Sequence, residues 1–70
     1  MDSYYLNQNR QENGDHEVHK TGCSYFPKWE NVERLGGFYT CSAAVAEAKK
    51  RHPNAKINGC YYCASSCHTT

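Results

Sequence analysis

The chain has 70 residues, 39% of them apolar, with a mean hydropathy of −0.91 and a formal net charge of +1. That length allows one domain, residues 1–70, and a domain this small buries only about 60% of its unfolded surface, so its core needs a staple. No run has transmembrane length, the first residues lack the basic and apolar regions of a signal peptide, and the balanced charge gives no general pull toward nucleic acid or membrane.

In chain order, Tyr4 to Asn7 has strand composition. The polar stretch after it ends in Asn13-Gly14-Asp15, a turn signal, and His16 to Lys20 can extend again, so the two segments can pair as a hairpin. Gly22 breaks the second strand just before Cys23. Val32 to Tyr39 reads as a strand interrupted at Gly36-Gly37, by a bulge or a turn. Thr40 is a suitable N-cap for a helix over Cys41 to His52, where Cys41, Ala44, Val45 and Ala48 fall on one stripe at helical spacing. Lys49, Lys50 and Arg51 complement the negative end of its dipole, and Pro53 stops it. Asn58-Gly59 then turns the chain into Cys60, and the tail from Tyr61 can form one short helical turn.

Five cysteines is an odd number, so a pure disulfide framework leaves one thiol over. In a reducing cytosol, clustered Cys and His serve as metal ligands rather than bridges, and a cytoplasmic chain is expected. Cys60-Tyr61-Tyr62-Cys63 is the sharpest signal, because two intervening residues let a tight turn aim both sulfurs at one metal. Its rivals are a redox dithiol and a pair of core cysteines. His19 and Cys23 supply the two further ligands that a tetrahedron needs, and Gly22 lets that segment fold back. His16 competes with His19. A second, local set is Cys60, Cys63, Cys67 and His68, but it ties the tail only to itself. The expected metal is zinc, held by His19, Cys23, Cys60 and Cys63.

Cys41, on the apolar stripe, reads as a small buried hydrophobe. The cluster of Lys49, Lys50, Arg51, His52 and Lys56 reads as a solvated helix end, with nucleic-acid contact beside Tyr61 and Tyr62 as the functional alternative. No nucleophile, phosphate loop or paired carboxylates stand out, and four protein ligands leave a metal no position for a reactive water, so no enzyme activity is expected.

The order His-x3-Cys (His19, Cys23), Asn31, the segment Phe38 to Lys49, then Cys60 and Cys63, resembles the small metal-binding module at the N-terminus of the Ada DNA-repair protein. That module has Cys where this chain has His19, and related modules place a Gly-x-x-Pro-Cys run where this chain has Ile57 to Cys60. The chain also resembles a group of short bacterial proteins of unknown function. The shared wording is Gly14 to His19, Leu35-Gly36, Cys41, Ala44-Val45, Asn58 to Cys60 and Cys67 to Thr69. These resemblances imply a stand-alone domain with a structural metal and carry no activity.

The resulting expectation is an α+β fold: a small antiparallel sheet, one helix over it, and a C-terminal Cys-x2-Cys knuckle stapled by zinc. The expected function is a non-enzymatic zinc-stabilised binding module whose partner is a protein or nucleic acid. A thiol-redox protein using Cys60 and Cys63 is the alternative, with weak nucleic-acid binding as a third.

Overall fold

A computed structural model of the chain describes residues 1–11 and 14–69. Asn13, part of the expected turn, lies outside the described residues. The strands are β1 (Asp2–Asn7), β2 (Asp15–Lys20), β3 (Val32–Phe38) and β4 (Lys56–Gly59), with one helix, α1 (Cys41–Arg51), between β3 and β4. Short 3-10 turns occupy Trp29–Asn31 and Ser65–Cys67. The sheet order is β3-β1-β2-β4.

The sheet is mixed rather than antiparallel. β1 pairs antiparallel with β2 and with β3, as a hairpin-built sheet requires, but β4 adds parallel to β2. The cause is the helix. A strand that follows a helical crossover re-enters the sheet in the direction of the strand before it, and β3 already runs alongside β2 in direction. The connection spans the whole sheet, from one edge to the other.

β1 alternates as a half-buried strand does: Tyr4 and Leu6 are buried beneath α1, while Tyr5 faces the opposite side against Phe26 and Trp29. The register of β1 on β3 shifts between Tyr4, opposite Gly36, and Tyr5, opposite Arg34. Leu35 is therefore the extra residue of a bulge and turns into the core, and Gly36, at φ +127°, takes a backbone conformation that side chains resist. The Gly36-Gly37 signal marks a bulge, not a turn.

The helix forms where its sequence signals lie. Thr40 Oγ1 accepts a hydrogen bond from the Ala43 N–H at 3.2 Å, and the last residue is Arg51, one before the expected end at His52. Its buried face is Cys41, Ala44 and Ala48, small side chains that bring it close to the sheet. The far end is pinned by Arg51. Its guanidinium donates to Glu47 Oε2 at 2.7 Å, to Glu33 Oε2 at 3.0 Å, and to the carbonyls of Arg34 and Leu35 at 3.0 and 3.2 Å. His52 Nε2 meets Glu33 Oε1 at 2.8 Å. Arg51 and His52 thus anchor α1 to β3, so these two members of the basic cluster are engaged with the sheet rather than simply solvated.

Cys41 is buried, as expected of the stripe, but it is not a free thiol. It forms a disulfide with Cys67, 26 residues away, which ties the first turn of α1 to the tail. The odd count is resolved as one bridge plus three free cysteines, Cys23, Cys60 and Cys63.

Candidate metal centre

Just before its last residue, Lys20, β2 carries Val18 and His19, both buried, on opposite faces of the strand. Val18 joins the core, whereas His19 turns toward the loop side, 6.0 Å from the Phe26 ring. The chain then reverses. The Cys23 N–H donates to Lys20 O at 3.2 Å, and Gly22 sits at φ +88° in the left-handed region that this tight turn demands. The reversal returns Cys23 toward the end of β2.

β4 brings in the other half. Its parallel pairing with β2 continues one residue past the strand, where the Cys60 N–H donates to Val18 O at 3.0 Å. Cys60 therefore arrives beside His19. The Ala64 N–H then closes a turn on Cys60 O at 2.9 Å, swinging Cys63 back to the same point. There the Lys20 N–H donates to Cys63 Sγ at 3.3 Å.

The ligand atoms of His19, Cys23, Cys60 and Cys63 all lie within 4.8 Å of one another, close enough to hold a metal ion. Cys23 Sγ and Cys60 Sγ are 3.8 Å apart, and His19 Nδ1 is 3.9 Å from Cys63 Sγ. Sulfurs placed tetrahedrally at 2.3 Å from a shared zinc are separated by about 3.8 Å, and a sulfur and an imidazole nitrogen by about 3.6 Å. A disulfide requires about 2.0 Å, so the Cys23–Cys60 spacing is that of two ligands and not of a bond.

The protonation states follow from burial. Burial holds His19 below the usual imidazole range, so the ring is neutral and a nitrogen lone pair is free for a cation. Burial raises the Cys60 thiol, and burial together with the neighbouring Cys23 sulfur pushes Cys63 up to about 12. Both shifts run away from the low-pKa thiolate of a redox dithiol. Three clustered sulfurs would ionise together only beside a compensating cation.

The competing ligands are engaged elsewhere. His16 lies at the far end of β2 with Nδ1 3.0 Å from Asn7 O. Cys67 is bridged to Cys41, and the His68 Nδ1–H donates to Gly59 O at 3.0 Å, so the local set of Cys60, Cys63, Cys67 and His68 does not assemble. Sequence reasoning overlooked Glu17, whose Oε1 lies 3.4 Å from His19 Nε2. The signal was present, since Glu17 is two residues before His19 on a strand and shares its face. It also overlooked Tyr25, which stacks on Tyr62 with ring centroids 3.9 Å apart.

Tyr25, Tyr61 and Tyr62 are 59%, 61% and 62% exposed, so both knuckle tyrosines point outward. With Glu17, His19 and His68 they line a cleft of about 440 Å³ beside the ligand cluster. The Lys49 to Arg51 turn leads into the start of β4, whereas Tyr61 and Tyr62 follow its end. The expected surface joining the basic turn to the tyrosines is accordingly divided by a strand.

No protein-family model, curated protein or solved structure matches the chain.

Proposed function

We propose that this chain is a non-enzymatic binding module stabilised by one zinc ion on His19, Cys23, Cys60 and Cys63. The observation that carries the reading is the convergence of four ligand atoms within 4.8 Å from two distant parts of the chain. One neutral imidazole and three sulfurs form a set that suits zinc, in the closed arrangement of a structural site. With four protein ligands the ion has no open position, which supports a structural role over a catalytic one. The ion cross-links the turn after β2 to the knuckle after β4, a second staple beside the Cys41–Cys67 bridge for a 70-residue core. The bridge takes Cys41 and Cys67 and leaves Cys23, Cys60 and Cys63 free, so bridge and centre draw on different cysteines. That bridge weakens the cysteine-count argument for a cytoplasmic location, since disulfides persist in oxidising compartments.

The binding surface in this reading is the exposed cluster of Tyr25, Tyr61 and Tyr62, whose rings offer flat, amphipathic area to a protein or nucleic-acid partner. Elemental analysis of protein purified without chelator tests the metal. One zinc per chain, lost in Cys60→Ser together with amide dispersion, is the expected result. Metal-free protein with unchanged dispersion overturns the reading.

A further inference from the structure

His19 carries an unmet requirement that the four-ligand set does not answer. Its ring is buried, and Nε2 is the buried side-chain polar atom left without a hydrogen-bond partner among the described residues. An unsatisfied buried donor or acceptor is costly, so the nitrogen needs a partner. Nδ1, on the other edge of the ring, is the nitrogen facing the sulfurs, 3.9 Å from Cys63 Sγ. The nearest acidic atom to Nε2 is Glu17 Oε1 at 3.4 Å, a few tenths of an ångström beyond a formed hydrogen bond. The Glu17 side chain is only 14% exposed, it also accepts from the Gln11 side chain, and His68 is close enough to act on its charge.

We infer that Glu17 is the positioning residue of the metal centre: its carboxylate accepts the His19 Nε2–H and thereby fixes Nδ1 as the ligating atom. The inference rests on the zinc reading above. The geometry fits in three respects. Glu17 and His19 are two apart on β2, so the strand itself holds the carboxylate on the imidazole's face. A neutral imidazole has one N–H and one lone pair, so an acceptor at Nε2 forces the lone pair to Nδ1, toward the sulfurs. Finally, a ligating histidine ordinarily hands its other N–H to a carboxylate or carbonyl, and the structure offers Glu17 for that role. A bound cation would draw charge from the ring and make Nε2–H a stronger donor to the carboxylate 3.4 Å away.

Two measurements test this. The first is long-range ¹⁵N–¹H NMR on the zinc-loaded wild type, which reports which imidazole nitrogen of His19 carries the proton. Protonated Nε2 with metal-bound Nδ1 is expected, and metal on Nε2 overturns the inference without any substitution. The second is chelator competition on Glu17→Leu and Glu17→Gln. Zinc affinity falls by about 10- to 100-fold in Glu17→Leu, as for loss of an outer-shell partner. Glu17→Gln keeps an acceptor oxygen, and so retains the tautomer with a smaller loss. Affinities of both variants within about twofold of wild type refute the role of Glu17 while leaving the zinc centre standing. A wild type that takes up no zinc removes both.

Discussion

Gly59→Ala is the sharpest probe of how the tail secures the centre. Gly59 is buried at the end of β4, one residue before Cys60, and its φ is ordinary, so alanine meets no conformational penalty there. The obstacle is space. A Cβ at this position lies 2.7 Å from Ala64 O, 2.7 Å from Cys67 Cβ and 2.9 Å from Cys67 C. Two of these three atoms are backbone, and Cys67 is bridged to Cys41, so the tail cannot give way by rotating a side chain. Forcing an extra methyl into such packing costs about 1–3 kcal/mol, and the rigid contacts place this case at about 2–3 kcal/mol. For a domain of this size each kcal/mol lowers Tm by roughly 4–8 °C, giving a fall of about 8–24 °C. Thermal unfolding of the zinc-loaded, disulfide-intact protein by circular dichroism reads it. The lifted tail also breaks the bonds that Asn58 Oδ1 accepts from the Thr69 N–H at 2.9 Å and the Thr69 hydroxyl at 3.3 Å, so amide shifts spread through residues 64–69. A Tm within about 2 °C of wild type refutes the reasoning.

Replacing both Cys41 and Cys67 with Ser removes a bridge of sequence separation 26, which costs about 3.5 kcal/mol in the chain-entropy account, and urea unfolding measures it. Zinc content stays at one per chain in that variant, because neither residue belongs to the ligand set. The paired bonds from His52 and Arg51 hold the Glu33 carboxyl below its ordinary value of 4.5. A depressed carboxylate stabilises above its unfolded pKa and loses that contribution as pH falls through the lowered folded value. The Tm difference between wild type and Glu33→Gln is therefore full above the ordinary carboxyl value and closes as pH falls through the lowered folded value, as pH-dependent melting shows. Zinc uptake at neutral pH displaces protons from the raised Cys60 and Cys63 thiols, so calorimetry in buffers of different ionisation enthalpy detects proton release and a weaker apparent affinity at lower pH.

Local chemistry was legible in the sequence. The Thr40 cap, the alanine stripe and Pro53 determine α1 because capping and helical periodicity act over a few residues. The spacings His-x3-Cys and Cys-x2-Cys marked the candidate ligands because each pair is built by one tight turn, and the structure brings all four close enough to hold a metal ion. What the sequence did not decide is which distant partners meet. β4 runs parallel because the crossover from β3 sets its direction, a property of the path and not of the residues Lys56 to Gly59. Cys41 carries the pattern of a core residue whether or not a sulfur lies opposite, and only the docking of the tail brings Cys67 to a Cα distance of 6.2 Å. The placement of Glu17 against His19 is intermediate. Strand periodicity puts the two side chains on one face, but only the packing of Phe26 and the Cys60 knuckle buries His19 and leaves its Nε2 in need of that carboxylate. Side-chain pattern is a short-range signal, whereas burial and pairing across tens of residues are settled by how the sheet closes over its helix and loop.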